Sequence, residues 1–427
     1  MRQTPQRALL VLSVMLLVAA ILTGSTAADA QDVTAARGDV DCNDVFDLSD
    51  AQRLAEFGVG LRTDGGACPL GNLAGQLNAA RADVDRNGVV DAGDTLRIAQ
   101  CAGNVIGVDC PTRVLALRGV NLAGAEFGDG LTIGEIGVDY EYPDAEGIDF
   151  FADAGMNTIR VPFAWERLQR VANGPFDAVE IGELDRVVEY ATSRGVSVIL
   201  DPHNFGAYYG NPIGSPGAPE SAFVDFWQRL AERYGDNPRV IFGLMNEPID
   251  ITQTVWVSAA NAAIATIRDT GATNLVLVPG INFSTASRWN DSSIAGVSNA
   301  EAILSIVDPG NNAAVEVHQY LDESQSGTSD TCVSTTIGAE RLSDFTDWLA
   351  SNGVRGFLGE FGVAENTTCL AALDTMLSFI DANDDVWLGW TYWAAGPLWP
   401  QDYVYSVEPF QGVADDAQFP VLLDHLD

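Results

Sequence analysis

Short apolar runs recur along the last three quarters of the chain. They are Leu115–Leu122, Thr158–Pro162, Ser197–Pro202, Val240–Asn246, Asn274–Pro279, Ala313–Gln319, Gly356–Glu360 and Val386–Trp393. Near-continuous apolar runs of this length are the pattern of parallel strands covered on both faces. Longer segments with helical spacing lie between most of them, including Ala145–Gly155, Glu180–Gly195, Pro219–Tyr234, Thr254–Thr270 and Ile337–Asn352. Gly155, Gly195, Gly235, Gly271 and Gly353 stand at their ends as stop signals. Eight strands alternating with helices predict an α/β chain with a (β/α)8 TIM barrel over residues 112–427. A doubly wound open sheet is the alternative. It is disfavoured because no Gly-rich phosphate loop follows the first strand.

Polar residues stand where these runs end. Val240–Pro248 reads VIFGLMNEP, an apolar strand that turns abruptly into Asn246 and Glu247. Gly356–Gly362, GFLGEFG, repeats the pattern with Glu360. A glutamate at the end of a buried strand is costly unless something uses or pairs it. The other ends carry Arg160, Asp201-Pro-His203-Asn204, His318-Gln-Tyr320 and Trp393. In a barrel the C-terminal strand ends converge on one rim, and that rim is the active-site face. Two carboxylates there are the minimum equipment for cleaving a glycosidic bond.

The first 30 residues are a targeting signal. Arg2 and Arg7 precede the apolar Leu9–Leu22, and Ala28-Asp29-Ala30 is a small-residue cleavage site. The chain is therefore expected to be secreted. Its six cysteines suit an oxidising compartment. Four (Cys42, Cys68, Cys101 and Cys110) precede residue 111, with their pairing open; Cys332 and Cys369 are expected to bridge within the large domain.

Residues 31–111 are expected to form a separate, small α-helical module, and they carry a duplicated loop pattern. Asp39, Asp41, Asn43, Asp47 and Asp50 recur in register as Asp83, Asp85, Asn87, Asp91 and Asp94, each set followed by a helical segment. Oxygen side chains at loop positions 1, 3, 5, 9 and 12 match the needs of a hard cation, so structural Ca2+ is expected there. The duplicated loop and helix resemble a dockerin module, and a cohesin-like partner is what that resemblance implies. The N-terminal position and the long Gly58–Arg81 spacer depart from the dockerin pattern and speak against a dedicated partner. A calcium staple suits a core too small to hold itself together.

The formal net charge is −37, and all 22 basic residues are arginine. Such a surface repels nucleic acid and anionic lipid, which excludes those partners and suits a neutral substrate, calcium or a salty medium.

Several strings in the large domain are long and specific: LDPHNFGAYYG at 200–210, VIFGLMNEP at 240–248, VHQYLDESQSGTSDTCVS at 317–334, GFLGEFG at 356–362 and WTYWAAGPLW at 390–399. They closely resemble glycoside hydrolase family 5, subfamily 5 endoglucanases, over residues 115–400. The resemblance implies a retaining endo-β-1,4-glucanase with Glu247 as acid/base, Glu360 as nucleophile, and Arg160, His203, Asn246, His318 and Tyr320 around them. Arg160, His203 and Tyr320 are expected to keep Glu360 ionised, Asn246 to hold the 2-hydroxyl, and His318 to help orient Glu247 or the leaving group. No cofactor is implied. Trp393 is expected under the reacting sugar, with Tyr208, Tyr209, Trp289 and Trp399 as rim platforms, because flat amphipathic rings suit pyranose faces. Trp165 and Trp256 read equally well as barrel–helix packing. The same residues serve β-mannan and mixed-linkage glucan cleavage, and a silent carbohydrate-binding or adhesion protein is the rival from another class. Neither glutamate is lost, which argues against silence.

Overall fold

The apolar runs do form the strands of a closed barrel. A computed structural model describes residues 117–128, 132–293, 296–400, 402–409 and 416–426. The targeting signal, the dockerin-like module with its ten ligand candidates, from Asp39 to Asp94, and the cysteines 42, 68, 101 and 110 lie outside the described residues. The strands are β1 (Leu117–Leu122), β2 (Thr158–Phe163), β3 (Ser197–Pro202), β4 (Val240–Gly243), β5 (Val276–Pro279), β6 (Ala313–His318), β7 (Gly356–Glu360) and β8 (Trp387–Ala395). They close in the order β1-β8-β7-β6-β5-β4-β3-β2, every neighbouring pair parallel. This is the expected (β/α)8 barrel.

Helices α1 (Ala145–Asp153), α2 (Ala178–Ser193), α3 (Glu220–Tyr234), α4 (Gln253–Asp269), α5 (Ile337–Asn352) and α6 (Thr367–Ala382) cover it. Their starts are set locally. Asp144, Asp177, Thr252 and Asn366 each accept a backbone N–H of the first turn, which satisfies donors the helix leaves orphaned. Gly353 ends α5 in the left-handed region at φ 63°. Gly235 differs from the expectation: it caps α3 at φ −62°, so no left-handed residue is needed there.

Apolar faces dock the helices on the barrel. On α3, Phe223, Phe226, Trp227 and Leu230 are fully buried; each contributes about 1.5–3 kcal/mol in transfer terms. The indole of Trp227 donates to Leu244 O (3.2 Å) and that of Trp256 to Pro279 O (2.7 Å), so two outer helices grip the ends of β4 and β5. Trp165 and Trp256 are both fully buried and belong to this packing.

The expected β4 ran to Asn246, but the strand ends at Gly243. Leu244 still donates to Leu277 O; the chain then turns so that Asn246 N–H reaches Pro202 O and Glu247 adopts φ 40°. Strained backbone of this kind gathers where side chains must be aimed. Among the described residues no helix is long and apolar enough to cross a membrane.

Cys332 and Cys369 are bridged as expected, with a Cα–Cα distance of 5.2 Å and 37 residues of separation. The bridge ties the loop after β6 to the first turn of α6. Replacing both cysteines with serine is expected to cost about 3–4 kcal/mol by the loop-closure estimate. That lowers Tm by roughly 5–10 °C, readable by calorimetry against the wild type. An unchanged Tm would show that the bridge adds nothing to the native state.

Candidate active site

Polar side chains at and just beyond several strand ends meet at one rim, and Arg160 of β2 is the hub. Its side chain is fully buried. Nη1 donates to Asn121 Oδ1 (2.9 Å) and Glu360 Oε1 (2.8 Å), and Nη2 to Asn246 Oδ1 (2.9 Å). Asp201 Oδ2 lies 3.1 Å from Nη1 and Glu316 Oε1 3.0 Å from Nε. One guanidinium thus faces three carboxylates; a buried charge persists only with such pairing.

Asn246 is held from both sides. Its amide oxygen accepts from Arg160, and Nδ2 donates to His203 Nε2 (3.1 Å). His203 Nδ1 then carries the proton and donates to Asp201 Oδ2 (2.7 Å). His203 was expected to help keep Glu360 ionised by charge and hydrogen bonding. It acts on Glu360 through charge, spends its hydrogen bonds on Asp201 and Asn246, and stacks its ring on Trp393 with centroids 5.5 Å apart.

Glu247 and Glu360 face each other across His318. His318 Nδ1 is 2.7 Å from Glu247 Oε1 and 3.5 Å from Glu360 Oε2. Single oxygens of the two glutamates and a nitrogen of His318 all lie within 4.8 Å of one another. Tyr320 donates to Glu360 Oε2 at 3.1 Å.

The two carboxyls differ in environment. Burial and the Glu360 charge push the Glu247 carboxyl upward against the opposing pull of His318. Burial also works against Glu360, but His318, Arg160 and His203 with the Tyr320 hydroxyl outweigh it and hold Glu360 below the usual carboxylate range. One carboxyl is displaced upward and its neighbour downward, the direction that acid–base and nucleophilic chemistry needs.

The aromatic surround departs from the sequence expectation. Trp393 takes its place on β8 beside His203, and its indole donates to Tyr403 OH (3.1 Å). Trp399 stacks on Tyr403 at 4.0 Å and meets Trp393 edge-on at 5.9 Å, so it joins this wall. Trp289 does not. It is fully buried, 4.9 Å from Phe345 and 5.4 Å from Trp348; the short helix before it turns the indole onto α5. Tyr208 is also core, 4.6 Å from Trp165 with its hydroxyl on Gln169 O. Tyr209 is half-buried, packs on Tyr208 and donates to Arg170 O; neither contact reaches the carboxylates.

Sequence reading missed Asn121, Glu316 and Tyr403. Asn121 Nδ2 donates to the carbonyls of Gly359, Thr391 and Tyr392, locking β1 against β7 and β8 beneath Arg160. Glu316 had a signal: a charged residue inside the apolar run Ala313–His318. Tyr403 had none, since it stands in an irregular segment.

The comparisons with known proteins agree with this geometry. The family model described as Cellulase (glycosyl hydrolase family 5) matches residues 114–396. The chain belongs to glycosyl hydrolase family 5. It is a glycoside hydrolase. This family 5 chain is 42% identical over 297 residues to the endo-beta-1,4-glucanase B of Emericella nidulans, covering 69% of this chain and 87% of that protein. Among solved structures, the endo-beta-1,4-glucanase Xac0029 from Xanthomonas axonopodis pv. citri matches at 47% identity and TM-score 0.71, over 73% of this chain and 98% of that one. XacCel5A in complex with cellopentaose matches at 46% and TM-score 0.71, over 73% and 100%.

Proposed function

We propose that this family 5 enzyme is a secreted endo-β-1,4-glucanase that cleaves internal β-1,4-glucosidic bonds with retention of configuration. The observation that carries the reading is the Glu247–Glu360 pair, with oxygens within 4.8 Å and opposite displacements of their proton affinities. Retaining glycosidases hold their carboxyls ~5–5.5 Å apart, whereas inverting ones leave ~6.5–9.5 Å for a water. The named relatives supply the substrate class: endo-β-1,4-glucanases, and one structure holding cellopentaose.

In the first step Glu360 attacks the anomeric carbon. The C–O bond to the leaving chain breaks, and Glu247 gives its proton to that oxygen. Esterifying Glu360 removes the negative charge that raised Glu247, so the freed Glu247 carboxylate settles beside His318 as a base. A water then attacks the anomeric carbon and passes its proton to Glu247, and the bond from that carbon to Glu360 breaks so that Glu360 leaves as carboxylate. Arg160 and Tyr320 hold Glu360 in line, and Asn246, fixed by Arg160 and His203, is placed to bind the 2-hydroxyl. Trp393, with Trp399 and Tyr403, forms an apolar wall for a sugar face. The reaction needs two carboxyls and water, and no cofactor. The same reading divides the chain into a cleaved signal at 1–30, a calcium-stapled module at 31–111 and the hydrolase from 112.

The test is product analysis from carboxymethylcellulose, barley β-glucan and glucomannan, with and without EDTA. Rapid viscosity loss on the cellulose derivative is expected, with the β-anomer as first product by NMR and activity that survives EDTA. An α-anomer first would overturn the two-step mechanism. Cleavage of glucomannan alone would make it a mannanase.

A further inference from the structure

Glu316 is a buried carboxylate that the mechanism above leaves unused. It sits on β6 two residues before His318, so both side chains point into the barrel, Glu316 one layer below. Its side chain is 2% exposed. The sequence makes room for it on a neighbouring strand: a Cβ at Gly359 of β7 would lie 2.2 Å from Glu316 Oε1. An ordinary side chain at 359 would therefore evict this carboxylate. Apolar residues fill a barrel interior more cheaply than a charge does.

Among the described residues Glu316 pairs with two cations. Its Oε1 is 3.0 Å from Arg160 Nε and 3.5 Å from His318 Nε2, both ion-pair contacts, since Oε1 accepts no aligned hydrogen bond. His318 therefore has carboxylates at both ring nitrogens: Glu316 at Nε2, and Glu247 and Glu360 at Nδ1. A neutral imidazole has one N–H and would turn a lone pair toward a carboxylate on the other side. Only the imidazolium turns an N–H and its positive charge toward the carboxylates on both sides.

We propose that Glu316 is a positioning residue: from beneath the site it anchors His318 through Nε2 and keeps the ring doubly protonated, so that Nδ1–H always faces Glu247. The inference rests on the role proposed for Glu247. The same three glutamates are shared with the Arg160 guanidinium, paired with Glu316 and Glu360, with the Tyr320 hydroxyl, which donates to Glu360, and with His203, which bears on Glu247. Burial alone would strip the ring of its proton, but Glu360, Glu247 and Glu316 together push His318 up to about 10. Permanently charged, His318 releases no proton at working pH. It steadies Glu247 as carboxylate between the two steps and leaves proton transfer to the glutamate. Arg160 keeps Asp201 and Glu360 as partners without Glu316; His318 has no other carboxylate at Nε2 among the described residues.

The test follows the imidazole directly, without substrate. The chain has three histidines, so NMR can resolve each ring, with His425→Gln for assignment. In the wild type, His318 is expected to stay doubly protonated at pH 8. In Glu316→Gln its titration should fall by about one pH unit or more, the scale of one lost charge at ~4–6 Å. kcat should drop about 10-fold, and KM should stay within about two-fold because Glu316 touches no substrate. Glu316→Asp, which keeps the charge, should recover part of both. A neutral His318 in the wild type at pH 7 overturns the proposal, as does an unchanged His318 titration in folded Glu316→Gln. Should Glu316→Gln fail to fold, Glu316→Asp decides by the same titration. A protein inactive on every glucan would leave the titration readable, so the two readings fail separately.

Discussion

Glu360→Gln is expected to lower kcat on soluble β-1,4-glucan by about 10⁴-fold or more, the scale seen when a covalent nucleophile is removed. An amide oxygen is a poor nucleophile, and no other carboxylate can take over. Asp201 and Glu316 are spent on Arg160, and Glu247 is tied to His318. The fold should persist. Glutamine keeps the shape, Arg160 retains two of its three carboxylate partners, and Tyr320 can still donate to the side-chain oxygen. Steady-state kinetics beside circular dichroism checks both halves. A folded variant with near-wild-type turnover would remove Glu360 from the chemistry.

Glu247→Gln should discriminate between substrates. On glucan, whose leaving alkoxide needs a proton, a loss of about 10²–10⁴-fold in kcat is expected, the usual worth of general acid catalysis. An aryl cellobioside with an acidic phenol leaves without that proton. Its first step should be nearly unaffected, while the second lacks the base that activates water. A burst of phenol followed by slow turnover is the expected trace, and added azide should speed the slow phase because it needs no base. Equal losses on both substrates, with no burst, would mean that Glu247 serves the structure of the site and not proton transfer.

Much of this site was legible before any coordinates. The apolar runs could only be covered strands, and charged or amide residues at their ends had to meet on one rim once eight of them closed. Arg160, His203, Asn246, Glu247, His318, Tyr320, Glu360 and Trp393 all converge there as read. The reading of the aromatic platforms was less secure. Trp289 and Tyr208 stand in rim loops as Trp399 does, yet they turn inward onto α5 and Trp165. A loop residue's side-chain direction depends on backbone angles that hydrophobic periodicity does not encode, and a large ring is welcome in either place. His203 shows the same limit: its presence at the rim was readable, but its action through Asn246 was not.

The sequence by itself determined the barrel, the pair of glutamates and the Cys332–Cys369 bridge, because strand periodicity, strand ends and cysteine positions can be read along the chain. Only the tertiary structure decided the 4.8 Å grouping of Glu247, His318 and Glu360 and the seat of Glu316 against Gly359. Those depend on barrel stagger, which sets the layer each inward side chain occupies and is a property of the closed sheet rather than of any strand. Proton affinity follows from the same cause. Glu247 and Glu360 are the same residue type, and their opposite displacements come from which buried cations and hydroxyls closure brings beside each.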